Sequence, residues 1–285
     1  MTEEVKNHFE QNPHSSVRIC ANDVGTSPSS TWRILRTNLG LFPYRPTKVQ
    51  VLTDQHKFQR RLFCEWLLAK LTDKESFPQD VCFSDEKWFV LNQSPNSQND
   101  RYWSLVNPHE YSECKDQGQK KVMAWAGFCG GKFLPLIWFT DAGCPVSVNK
   151  ERYLQILRTK VVPALQRKPN FRDLWWMQDG ATCHTAHCVM DFLKEKFDDR
   201  IISRGSPTPW PAKSPDLNPL DYWFWGFAQA QVHKQKPKTI EEVQMIVKKV
   251  ARTCKTEMIQ QAAMNIVKRA KKCIENDGSH FESSL

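Results

Sequence analysis

No stretch of this chain is apolar for long enough to cross a bilayer; none approaches the roughly 18–20 residues that a spanning helix needs. Its ten cysteines, at positions 20, 64, 82, 114, 129, 144, 183, 188, 254 and 273, form no CxxC pair. Scattered cysteines in a chain of 285 residues argue against a disulfide framework and for reduced thiols in an intracellular protein. The first residues, MTEEVKNHFE, are acidic rather than basic and then apolar, so no signal peptide is expected. Neither a dinucleotide fingerprint (GxGxxG) nor a P-loop is present, which excludes a nucleotide cofactor and leaves Gly130-Gly131 as a hairpin turn.

What is there is apolar, aromatic and basic. Hydrophobic residues make up 40% of the chain, enough for one large core and a small satellite. Most of the eleven Trp and sixteen Phe are expected to fill that core, Trp88, Trp175 and Trp176 among them. A formal charge of +9 favours a polyanionic partner.

Four zones follow along the chain. In residues 1–45, Val17, Ile19, Cys20 and Val24 share a helical face that Gly25 terminates. Ser27 or Ser29 then caps a second helix carrying Trp32, Ile34, Leu35 and Leu39. Helix, glycine turn and capped helix with Arg33 and Arg36 fit a helix-turn-helix; between Pro28 and Arg45 there are three Arg and no acid. A plain helical hairpin fits the same pattern. Residues 46–78 read as a linker and a helix in which Phe58, Leu62, Phe63, Trp66 and Leu67 face inward. Residues 79–235 carry hairpin strands first and then a strand–helix–strand–helix run, which predicts a mixed sheet flanked by helices. Residues 236–285 are helical and basic, and their charges are expected on a solvated face.

Three aspartates stand in unusual places. Asp85 lies inside the apolar run VCFSDEKWFV, Asp179 follows the strand-like LWWMQ, and Asp221 opens a helix after a Pro-rich turn. A carboxylate in apolar surroundings is costly unless paired or bound to a cation. Simple roles exist for each: an Asp85–Lys87 ion pair, a turn at Asp179, a helix cap at Asp221. Taken together, acids at strand ends and a helix start can converge at one sheet edge. There they could hold two Mg²⁺ for in-line attack on a phosphodiester, since oxygen-only donors suit Mg²⁺ better than zinc.

FSDEKWF, QDGATCH, WPAKSPDLNPLDY and the following WG resemble the catalytic motifs of the Tc1/mariner superfamily of DNA transposases. HSSVRICANDVGTSPSSTWRIL, FCEWLL, NDRYW, VMAWAGF and CIENDGSHFESSL agree, so the resemblance runs from about residue 11 to 285. It implies an α/β, ribonuclease-H-like catalytic domain behind a small all-α DNA-binding segment. It implies cleavage at transposon ends and strand transfer with Mg²⁺, for which Mn²⁺ substitutes. The partners it implies are double-stranded DNA, both terminal repeats and target, and a second copy of the chain, in the nucleus and away from any membrane. Carried over by motif, the catalytic and metal-holding acids are Asp85, Asp179 and Asp221, and the DNA-binding residues are Arg33, Arg36 and Arg45. Asp216 is the nearest competitor for third acid and is taken as a structural turn residue, because the family's ligand follows Pro-Leu or Pro-Ile. Three features depart from the pattern. Residues 180–220 make a gap of 41 positions between the second and third acids, longer than the commonest spacing. Only the second of two helix-turn-helix units is evident, and no GRPR motif precedes the catalytic zone. A truncated or domesticated copy that only binds DNA is therefore the alternative reading.

Cys183, His184, His187 and Cys188 invite a zinc reading, but one helix cannot easily offer four tetrahedral ligands. His184, five residues after Asp179, is expected either to position water or phosphate or simply to pack. Strand alternation sends Glu86 to the face opposite Asp85, which predicts a surface or salt-bridge role.

Overall fold

The computed structural model describes residues 1–43, 50–91, 120–282 and 285. Arg45, Cys114 and the NDRYW motif lie outside the described residues. Two compact units divide the chain, Met1–Val49 and Gln50–Leu285.

The first unit holds three helices, α1 (Thr2–Gln11), α2 (Val17–Val24) and α3 (Pro28–Arg33), the last running into a widened turn at Ile34–Asn38. Gly25 ends α2 at φ 71°, where its N–H reaches the Ala21 and Asn22 carbonyls. Ser27, not Ser29, caps α3 by accepting from the Ser30 N–H. Val5, Cys20 and Leu35 make a small core, so α1, which periodicity does not announce, completes the unit. Ile19 is exposed rather than on the buried face. Arg33 is exposed, whereas the Arg36 guanidinium lies 3.6 Å from the Phe42 ring centroid.

The second unit opens with α4 (Asp54–Asp73) and α5 (Phe77–Asp80). Strands β1 (Val81–Val90), β2 (Lys121–Cys129), β3 (Lys132–Phe133), β4 (Ile137–Asp141) and β5 (Cys144–Pro145) follow. Helices α6 (Lys150–Ile156) and α7 (Val162–Gln166) lead to β6 (Trp175–Met177), α8 (His187–Phe197) and β7 (Ile201–Ile202). A widened turn at Leu220–Trp225 runs into α9 (Gly226–Gln235), and α10 (Ile240–Thr253) and α11 (Thr256–Glu275) complete the unit.

The sheet order is β5-β4-β2-β1-β6-β7, with β3 folded back on β2 at Gly130-Gly131 as the sequence predicts. β1 and β2 are antiparallel, and β6 and β7 run parallel to β1. Both faces are covered, so the central strands are buried along most of their length. Phe83, Phe89, Val122, Ala124 and Ala126 pack toward α4, α10 and α11, whereas Cys82, Met123 and Trp125 pack toward α6, α7 and α8. Trp176 is core, as expected.

The predicted phase of α4 needs correction. Phe58 and Leu62 are 53% and 46% exposed, while the inward face is Arg60, Phe63, Cys64 and Leu67, spaced i, i+3, i+4, i+7. A charged residue occupies the first of these positions because it has a buried partner. Arg60, fully enclosed, donates to both carboxylate oxygens of Asp216 at 2.7 and 2.6 Å, to Ser214 Oγ and to the Gly278 carbonyl.

Candidate functional site

A cavity of about 730 Å³ opens at the edge of the sheet, and Asp85, Glu86, Asp179 and Asp221 all line it. Three remote segments deliver these acids. Asp85 sits midway along β1 opposite Ala126, Asp179 lies two residues past the end of β6, and Asp221 stands in the first turn of the Leu220–Trp225 segment. Because β6 is parallel to β1 and pairs Met177 with Phe83, the chain leaving β6 emerges beside Asp85. The 209–218 loop supplies the opposite wall with Pro209, Trp210, Pro211 and Asn218.

The simple roles weighed from sequence are resolved by the contacts. Among the described residues Asp85 makes no ion pair with Lys87; Asp85 Oδ2 accepts from the Trp225 indole N–H at 2.6 Å. Asp221 does not cap its helix, because Asn218 Oδ1 accepts from the Leu220 N–H. Asp179 does make a turn, accepting from the Ala181 N–H, yet its side chain is still 46% exposed to the cavity. Asp216 is the structural residue expected, held by Arg60.

The charges differ sharply. Asp85 has its pKa held well above the carboxylate range, first by burial and then by the negative charges of Asp221 and Glu86. Asp221 opens onto the cavity but is pushed up to about 7, first by loss of water around it and then by Asp179 and Asp216, against the pull of Lys87. Asp179 also loses water, but the hydrogen bond and charge of His184 outweigh that and hold it below the usual range. Among the described residues neither Asp85 nor Asp221 forms an ion pair.

His184 precedes α8 rather than lying on it, and it is 2% exposed. Its Nδ1 is 2.6 Å from Asp179 Oδ1 and its Nε2 is 3.1 Å from Glu86 Oε1. Burial alone would favour the neutral ring, but Glu86, Tyr153 and Asp179 hold its pKa well above the imidazole value, so both nitrogens donate. Tyr153 packs on the ring at 4.2 Å between centroids and donates to Gln178 Oε1. Gln178 in turn donates to the His184 carbonyl and to Ser203 Oγ. Simple packing therefore undersells His184: it joins two acids of the cavity. Glu86 does lie on the other face of β1, as alternation demands, but its side chain is largely buried and reaches the same cavity through His184.

The salt-bridge role expected of Glu86 is met by His184. Tyr153, Gln178, Trp225 and Arg60 are the residues that the sequence pattern does not single out, although Gln178 lies in QDGATCH and Trp225 in the WG that follows NPLDY. Among the described residues no three His, Cys, Asp or Glu side chains stand close enough, as placed, to ligate an ion; the acids share a cavity rather than a closed cage. His184 has both ring nitrogens committed to carboxylates, which removes it from a zinc set with Cys183, His187 and Cys188.

No family model matches the chain. The Tc3 transposase of a Caenorhabditis elegans transposable element is 28% identical over 187 residues, 65% of this chain and 50% of that protein. The chain thus spans about half the length of the curated relative it matches. The Mos1 transposase, solved as a paired-end complex with the left transposon end, superposes with a TM-score of 0.80 at 23% identity over 99% of this chain and 80% of its own. The mariner Mos1 paired-end complex with Mg gives 0.82. The Mos1 catalytic domain alone gives 0.64 at 22% identity, over 83% of this chain and all of its own. The mixed sheet flanked by helices is accordingly ribonuclease-H-like, and the Tc1/mariner resemblance of the motifs extends to overall sequence and fold.

Proposed function

We propose that the chain is a DNA transposase of the Tc1/mariner type, a metal-dependent enzyme that cuts DNA at transposon ends and joins the freed ends to a target. One observation carries the reading: acids from three segments remote in sequence line a single cavity, and two of them are raised in pKa and form no ion pair among the described residues. A carboxylate cluster crowded in this way at a cavity is a functional-site signature rather than a stability device. Asp85, Asp179 and Asp221 are the proposed catalytic and metal-holding residues, and their oxygen-only donor set suits Mg²⁺, or Mn²⁺, in preference to a softer ion. Such an ion supplies Lewis acidity, activating a water or 3′-hydroxyl nucleophile and offsetting charge on the leaving oxygen.

The chain's own residues do the positioning. His184 fixes Asp179, and Glu86 fixes His184 from the far side, so the second acid is oriented before any ligand arrives. The Asn218 side chain and the Arg60-anchored loop set the start of the turn that carries Asp221. In the first unit, the exposure of Arg33 on the capped α3 supports a contact with a DNA phosphate or base edge. The paired-end complexes formed by Mos1 support a working form in which two copies bring two DNA ends together; a nuclear site of action is part of the same proposal.

The test is nicking of a plasmid carrying the DNA that flanks this reading frame, in Mg²⁺ and in Mn²⁺. Asp85→Ala, Asp179→Ala and Asp221→Ala are each expected to lower cleavage by about 10³-fold or more, with the circular dichroism spectrum unchanged. Full activity in one variant would remove that residue from the site. Intact plasmid with the wild-type chain, together with binding that weakens steeply as salt rises, would leave a protein that only binds DNA.

A further inference from the structure

We propose that Trp225 is a positioning residue, which holds the Asp85 carboxylate in the cavity without neutralising it and ties its placement to that of Asp221. The indole N–H donates to Asp85 Oδ2 at 2.6 Å from a side chain that is otherwise buried in the core. Trp225 and Asp221 belong to one widened turn, Leu220–Trp225, and residues four apart in such a turn project from the same side. A single short element thereby presents the third acid to the cavity and grips the first acid on β1.

The choice of an indole has a physical logic. A half-buried carboxylate among apolar neighbours needs at least one donor, and the obvious donors are cationic. Arg60 shows what a cation does in this molecule: it takes both oxygens of Asp216 and leaves no unmet charge. Indole donates one hydrogen bond, has no acceptor and carries no charge, so it orients Asp85 through one oxygen without bringing a fixed counter-charge that would compete with a cation. Phe89, 5.9 Å away at an interplanar angle of 71°, and Phe224, 5.0 Å away, pack against the ring.

The inference rests on the metal-holding role proposed for Asp85, and the experiment separates the two. Mn²⁺ binding to the full chain is measured by calorimetry for wild type, Asp85→Ala, Trp225→Phe and Phe89→Leu. An isostere with benzothienylalanine at position 225, which keeps the shape and lacks the N–H, replaces Trp225→Phe if that variant does not fold. Loss of the indole donor is expected to weaken Mn²⁺ binding about tenfold or more, and to raise the Mn²⁺ concentration for half-maximal cleavage in step. Phe89→Leu, which alters packing but not the hydrogen bond, is expected to bind as wild type does. Unchanged affinity without the indole N–H overturns the proposal, and so does an equal loss in Phe89→Leu. A wild-type chain that binds no Mn²⁺, or an Asp85→Ala chain that binds it equally well, defeats the metal-holding role of Asp85 itself.

Discussion

Asp216 and Asp221 are five residues apart on one loop and live in opposite electrostatic worlds. Asp216 is buried against a guanidinium that meets both of its oxygens, and Arg269 donates to its carbonyl as well. Asp221 faces a cavity that holds Asp85 and Asp179, with its pKa driven up to about 7. A buried acid with a fixed cation belongs to the architecture. One crowded by other acids is a standing demand for a cation, and that demand is chemistry waiting for a partner.

The contrast can be broken in four ways, the largest effect first. Asp221→Asn should cost about 10³-fold in plasmid cleavage, roughly 4 kcal/mol of transition-state stabilisation. Asp216→Asn should instead cost about 3–5 kcal/mol of folding stability in a urea titration, because Arg60 is left charged and unpaired in the interior. An Asp216→Asn chain that melts like wild type would show that the pair is not structural. In chelator at pH 8, Asp221→Asn should raise the unfolding midpoint by the equivalent of about 1 kcal/mol, because it removes a repelling charge that the metal-free protein cannot satisfy. The same substitution lowering stability would mean that the carboxylate already has a partner. Smallest is Arg33→Ala in the first unit, which should reduce the slope of log affinity against log salt by about 1 in a DNA gel-shift series.

Much of the frame is legible in the sequence. Gly25 and Ser27 act as their residue types dictate, and Gly130-Gly131 turns the hairpin at positive φ on both residues. The three acids announce themselves by polarity in apolar runs and by motif. What stays hidden depends on partners distant in sequence. A helical period finds a face of α4, but Arg60 on that face looks like a surface residue until Asp216, 156 positions later, is set against it. Alternation sends Glu86 away from Asp85 correctly, yet cannot foresee His184 arriving from the β6–α8 connection to bridge the two faces. Trp225 counts as one more core aromatic until Asp85 is placed beneath its N–H.

The closing segment has a genetic consequence. The Gly278 carbonyl receives Arg60, and a Cβ at that residue would meet the Lys57 carbonyl oxygen at 2.0 Å, so only glycine fits. Phe281 is fully enclosed, and His280 donates to the Gln50 carbonyl. A frameshift or stop codon between residues 222 and 278 would therefore spare every codon for an acid of the cavity and still strip the loop before Asp221 of its far anchor. Copies damaged in this way should be inert despite an intact set of codons for the proposed catalytic acids, so an inventory of those codons alone would overcount working genes.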